Sequence, residues 1–177
     1  MTAHPGANPP SRPAVKLRHP QPSDVATLFA FESDPAWGAV AMVKPRTEAV
    51  FRSVWAGLFE GWAAGKTDVV QKVILADGEV CGSIGCRLLE HRPEVGYGLG
   101  RPYWGRGIAS EALGLLLLEL PCRPLFATAA ATNVASLCIL NKHGFQVIER
   151  RNAPETERCL PRDEVRMMLA ERAAESS

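Results

Sequence analysis

Glycine and arginine concentrate in one stretch of the chain, residues 94–112, which reads EVGYGLGRPYWGRGIASEA. A strand pattern ends in glycines, and Gly105, Arg106 and Gly107 then open a helical pattern. Glycine lets the backbone approach a ligand closely, and the first amides of a helix have no partner inside it and attract anions. Arg101 and Arg106 can add charge-assisted contacts. The stretch indicates a phosphate or diphosphate site, although the glycines alone leave an ordinary strand-to-helix turn as the alternative.

A dinucleotide fold is the obvious competitor, because residues 96–100 form a GxGxG string. That string lies inside the strand pattern, and Pro102 prevents a helix from opening at Gly100. No acidic residue follows at the end of a next parallel strand, and the GxxxxGK[ST] pattern is absent. The sequence therefore does not favour a nucleotide-binding fold.

The periodicity of apolar residues predicts one α/β domain over residues 14–170. It lies between a disordered arm at residues 1–13, which contains four prolines, and a frayed tail at residues 171–177. Asp77 and Gly78 predict a tight hairpin turn, and Pro35 is expected to end the first helix. The predicted strands are 14–19, 69–76, 79–89, 94–100, 125–129, 145–150 and 164–169. The predicted helices are 23–34, 47–65 and 133–143, and residues 102–120 are predicted to form a loop and then a helix.

Composition excludes several classes of function. The 177 residues include 20 Lys and Arg and 19 Asp and Glu, so the net charge is +1 and offers no broad field for nucleic acid. No apolar run approaches the ~20 residues of a membrane span. The five cysteines include no CxxC pair and the four histidines are scattered, so we expect no metal site and a cytoplasmic location.

Three segments together resemble the GCN5-related N-acetyltransferase superfamily, and within it the RimJ/RimL-like branch. Residues 94–112 are similar to the acetyl-CoA diphosphate motif of that branch. Asn133, Ser136 and the NKHGF of residues 141–145 are similar to its following helix and strand, and LRHPQPSDVATLFAFESDP is similar to its opening strand and helix. They occur in the family's order, over about residues 15–169.

The resemblance implies a mixed α/β fold, a strongly curved sheet of about seven strands with about four flanking helices. Two central strands, here residues 94–100 and 125–129, splay apart to admit the pantetheine arm of acetyl-CoA. Asn133 and Ser136 would lie along that arm, and an amide at Gly98 or Leu99 would polarise the thioester carbonyl. The diphosphate would be held by the backbone amides of Gly105, Arg106, Gly107, Ile108 and Ala109.

The reaction that the resemblance implies is attack of a neutral primary amine on the acetyl thioester. A carboxylate base takes the proton of the amine. Glu94 is the candidate because it begins the strand that leads to the site, and the alternative is that Glu94 is a charge at the strand entry that faces water. Many family members place a tyrosine seven residues after the asparagine as the acid, where this chain has Leu140. Ser136 is the candidate in its place; a water molecule and unassisted departure of the thiolate (pKa ~8.5) are the alternatives.

The sequence also predicts the environment of three further residues. Pro102 stands where the family often has Gln or Arg, which removes one side-chain contact to the diphosphate but leaves the backbone amides. Glu111 is expected to bond a neighbouring loop or helix. The apolar neighbours of Cys138 predict that this thiol is buried.

The predicted function is that of an acetyl-CoA-dependent N-acetyltransferase, and the branch favours a protein or peptide N-terminal α-amine as acceptor. Two alternatives stay open. One is a small-molecule enzyme acting on an aminoglycoside, polyamine or amino acid. The other is a non-catalytic acyl-CoA-binding module, which Pro102 and Leu140 keep open. We expect a monomer or homodimer without nucleic-acid or membrane partners.

Overall fold

A computed structural model describes residues 12–66 and 68–171, and these contain seven strands and five α-helices. Two predicted segments lie outside the described residues. They are the arm, apart from residues 12 and 13, and the tail, apart from residue 171. The strands are β1 (Val15–Arg18), β2 (Val69–Ala76), β3 (Glu79–Leu89), β4 (Arg92–Leu99), β5 (Leu125–Ala130), β6 (Gln146–Ala153) and β7 (Arg162–Leu169). The helices are α1 (Val25–Glu32), α2 (Pro35–Ala41), α3 (Glu48–Ala63), α4 (Ile108–Glu119) and α5 (Val134–Lys142).

The strands form one mixed sheet in the order β1-β2-β3-β4-β5-β7-β6. Neighbouring strands are antiparallel except for β4 and β5, which are parallel. Asp77 and Gly78 connect β2 to β3 with φ angles of 52° and 90°, as a type I′ hairpin turn requires. The predicted mixed α/β fold and this hairpin are both confirmed.

Helices cover both faces of the sheet. Val73 and Ile74 are adjacent in β2 and fully buried, yet they belong to different apolar clusters because successive strand residues point to opposite faces. On one face α4 contributes Leu113 to the larger cluster. On the other face α3 contributes Phe51 and Trp55. The sheet is therefore packed between two layers of helices, and β4 and β5 lie near its centre.

The sequence did not predict α2. Pro35 was expected to end a helix, but it occupies the first turn of a new one, where its missing N–H costs nothing. The Asp34 carboxylate caps this helix by accepting the Ala36 N–H at 2.8 Å. Met42 ends it in the left-handed conformation. The short helix brings Trp37 against β4.

The helices in the described ranges are all too short or too polar to cross a membrane. Within the same ranges, no group of three or more His, Cys, Asp or Glu side chains is arranged to hold a metal ion.

Candidate active site

A gap opens between the parallel strands β4 and β5. Within the described residues, the two strands pair at one position, where Glu94 of β4 lies beside Phe126 of β5. Toward their carboxyl ends the strands diverge around a cavity of about 170 Å³, whose lining includes Tyr97, Ala129 and Ser136. The predicted splaying of two central strands is confirmed.

The backbone of β4 presents the amide of Leu99 to this gap. The Gly100 N–H donates to the Cys81 carbonyl on the β3 side at 2.9 Å. Amides alternate in direction along a strand, so the Gly98 N–H also faces β3 and the Leu99 N–H faces β5. The Leu99 carbonyl lies on the same side and accepts the Trp104 indole N–H at 2.9 Å. Of the two amides predicted from the sequence, that of Leu99 is the one available in the gap.

The side chains of β4 separate into two faces. Glu94, Gly96 and Gly98 share one face because they alternate with Val95 and Tyr97. Trp37 covers Gly98, since a Cβ there would lie 3.0 Å from its indole ring. A Cβ at Gly96 would meet no atom within 4 Å. We call this surface, Glu94, Gly96, Gly98 and Trp37, the glycine face; it is open above Gly96.

The Glu94 carboxyl lies on this face and is partly buried. Burial raises the pKa of its carboxyl above the ordinary value. A hydrogen bond from the Thr128 hydroxyl and the charges of Arg87 and Arg166 oppose the rise, because each favours the ionised form. A carboxylate whose pKa moves toward neutral pH is a stronger base than an exposed one.

Two hydroxyls meet across the gap. The Tyr97 hydroxyl lies 3.0 Å from Ser136 Oγ, and this contact joins β4 to α5. The Ser136 N–H donates to Asn133 Oδ1 at 3.1 Å, so the Asn133 side chain serves as the cap of α5. Burial raises the pKa of Tyr97, so its hydroxyl stays protonated at neutral pH. Leu140 is buried and lines the same cavity.

The start of α4 has the geometry of an anion site. Gly105 and Gly107 have φ angles of 72° and 77°, which side chains other than glycine rarely adopt. A Cβ at Gly105 would meet no atom within 4 Å, so the backbone there is open and carries no side chain. The Glu111 N–H donates to the Gly107 carbonyl at 3.2 Å. The three amides before Glu111 have no acceptor within the helix and face outward at its positive end.

Charged side chains surround this helix start. Arg106 lies over the Tyr103 ring, 5.9 Å from its centroid, and Arg101 is exposed in the turn before it. Arg12 Nε is 3.2 Å from Glu111 Oε2, which confirms the expectation that Glu111 bonds a neighbouring segment. The local charge is therefore positive, as a phosphate group requires.

Comparison with known proteins identifies the family to which this chain belongs. The profile of the acetyltransferase (GNAT) domain family matches residues 14–146. The chain belongs to the GNAT acetyltransferase family. The uncharacterized N-acetyltransferase p20 of Bacillus licheniformis is 28% identical over 140 residues, which span 75% of this chain and 79% of p20. As a family member the chain is an acyltransferase, and the predicted superfamily is confirmed.

Two solved acetyltransferase structures show the same fold at low identity. RimL, the ribosomal L7/L12 α-N-protein acetyltransferase in complex with coenzyme A, superimposes with a TM-score of 0.73 at 18% identity, covering 92% of this chain and 96% of RimL. The microcin C7 self-immunity acetyltransferase MccE, in complex with acetyl-CoA and AMP, gives 0.72 at 15% identity, covering 89% and 92%. Both matches show that this chain shares the fold of these acetyltransferases.

The site residues predicted from the sequence lie in three places in this fold. Leu99, Asn133 and Ser136 border the gap, residues 105–109 form the helix start, and Glu94 lies on the glycine face. Sequence reasoning missed Tyr97 and Trp37. Because side chains alternate along β4, Tyr97 lies on the face of the strand away from Glu94 and Gly98. Its contact with Ser136 arises only in the folded chain. Cys138 is exposed, so its predicted burial is wrong.

Proposed function

We propose that this GNAT chain transfers the acetyl group of acetyl-CoA to a primary amine, and that its acceptor is the N-terminal α-amine of a protein or peptide. The observation that supports this most strongly is the divergence of β4 and β5 beside the glycine-rich start of α4. The gap is suited to a narrow thioester arm, and the helix start is suited to a diphosphate.

The residues at the start of α4 fit the diphosphate of acetyl-CoA, because the Gly105 backbone leaves open the space that a Cβ would fill. The amides of residues 105–109 would hold it, and Arg101 and Arg106 would add charge. When bound, acetyl-CoA supplies an acetyl group activated as a thioester. The Leu99 N–H would donate to the thioester carbonyl oxygen, where negative charge develops during the attack.

Glu94 acts as the base in this proposal. Its place on the glycine face, near the open space above Gly96, suits a group that removes the proton of an incoming amine. Strand residues are ~3.3 Å apart along β4, so Glu94 lies roughly 13 Å along the strand from Gly98. We therefore infer that the proton passes through water between the amine and the carboxylate.

Ser136 acts on the other side of β4. Its hydroxyl is directed into the gap, where it can donate a hydrogen bond to the departing sulfur. Tyr97 is a positioning residue: when its hydroxyl donates to Ser136 Oγ, the Ser136 proton is left free for the sulfur. This pair supplies a proton donor that the usual tyrosine position, Leu140, does not.

An α-amine is the acceptor that this base serves best. Its pKa of ~8 lets it lose a proton near neutral pH, whereas a lysine amine at ~10.4 does not. Trp37 and Glu94 leave the approach above Gly96 open to a chain terminus. Small-molecule amines are the second acceptor class, and the test includes them.

The test measures release of the free CoA thiol from acetyl-CoA by the full chain. The acceptors are peptides with a free N-terminus, the same peptides with a blocked N-terminus and a lysine, and a panel of one aminoglycoside, one polyamine and several amino acids. Release with the free N-terminus alone is the expected result. Release with the small amines alone would assign the alternative acceptor class. Binding of acetyl-CoA without release for any acceptor would contradict the enzyme proposal and favour an acyl-CoA-binding module.

A further inference from the structure

Arg12 lies on the helix start of the acetyl-CoA site, although it precedes β1 by only a few residues. Its Nη2 atom is 3.2 Å from the position that a Gly107 Cβ would occupy, and its Nε atom is 3.2 Å from Glu111 Oε2. Gly107 is the cap of α4 and adopts a φ of 77°. Arg12, near the end of the predicted arm, therefore lies over the backbone at the start of α4.

This placement brings a cation to the positive end of α4. A cation at the positive end of a helix is repelled by the unpaired N–H groups. Glu111 offsets part of this repulsion, but the Arg12 side chain is 59% exposed and an exposed ion pair contributes little. An anion between the guanidinium and the amides would satisfy both.

We propose that Arg12 is a phosphate-binding residue of this site, which clasps the phosphate groups of acetyl-CoA against the start of α4; the inference rests on the proposed function. Within residues 12–66 and 68–171, Glu111 pairs with the Nε side of the guanidinium, and the two terminal nitrogens can donate to a phosphate.

The experiment is calorimetric titration of the full chain with CoA and, separately, with pantetheine, which has no phosphate. Arg12→Gln is expected to weaken CoA binding about tenfold, the lower end for a hydrogen bond to a charged group. It leaves pantetheine binding unchanged. Arg52→Gln is the matched control, because Arg52 is also ion-paired and 52% exposed but lies on α3. The control is expected to bind CoA as the wild type does.

A second variant separates the role of Arg12 from that of its partner. If Arg12 merely neutralises Glu111, the double variant Arg12→Gln/Glu111→Gln regains wild-type affinity for CoA, which would overturn the inference. If Arg12 binds phosphate, the double variant stays weaker than Glu111→Gln alone. Unchanged or tighter CoA binding by Arg12→Gln also overturns it and leaves the proposed function standing. A wild-type chain that does not bind CoA would overturn both.

Discussion

Tyr97→Phe removes one hydroxyl from the gap and keeps the ring that packs against the larger core cluster. Ser136 Oγ then loses the partner that lies 3.0 Å away. A neutral hydrogen bond contributes a net ~0.5–1.5 kcal/mol, which corresponds to a fall in kcat of about two- to tenfold. The KM for acetyl-CoA changes little, because Tyr97 is proposed to act on the departure of the sulfur and not on binding.

The assay is steady-state thiol release with a saturating acceptor and varied acetyl-CoA. Tyr103→Phe is the control, because Tyr103 is the other of the two tyrosines. We expect Tyr97→Phe to have no further effect once Ser136→Ala is present, since Tyr97 works through Ser136. An unchanged kcat in the single variant, or an equal fall in the Ser136→Ala background, would refute the reasoning.

Glu94→Gln should lower kcat by about 10²- to 10⁴-fold. A pH–rate profile should also lose the rise in rate that follows ionisation of Glu94 at its raised pKa. Gly107→Ala should destabilise the chain by about 1–2 kcal/mol because its φ is 77°. Gly57→Ala, in a helix with open space, should stabilise it by up to ~1 kcal/mol, and thermal unfolding compares the two. Asp24→Asn should cost about 2 kcal/mol at neutral pH, because it weakens the charge-assisted hydrogen bonds between the buried Asp24 carboxylate and the partly exposed Arg18 guanidinium. The Arg18 hydrogen bond lowers the pKa of Asp24, so this difference is fully present above pH ~4 and shrinks as pH falls through the lowered pKa in acid unfolding.

The parts of the fold that the sequence predicts well depend on local physics. Alternating apolar residues identify the strands, and Asp77 and Gly78 identify the hairpin because few residue pairs adopt two positive φ angles. The helix start at Gly107 follows from glycines and from the apolar run after them. Pro35 shows the limit of local reasoning, since a proline fits both the end of one helix and the first turn of the next.

The parts that the sequence does not predict depend on contacts between distant residues. Tyr97 and Ser136 are 39 residues apart and meet because the strands diverge beneath α5. Arg12 reaches Glu111 only after β1 joins the sheet edge and α4 packs across it. Cys138 has apolar neighbours in sequence, yet it lies on the solvent side of α5. Which face of a helix is buried depends on the elements that pack against it, and one sequence alone does not show those contacts.

Thermal unfolding of the full chain with and without acetyl-CoA tests the central claim most directly. At about 100 times the dissociation constant, a ligand that binds only the folded state adds ~2.7 kcal/mol of stability. For a chain of this size that raises the Tm by roughly 5–11 °C. We predict such a rise with acetyl-CoA and none with NAD or ATP. No rise with acetyl-CoA would contradict the assignment of the β4–β5 gap and the α4 start as its binding site.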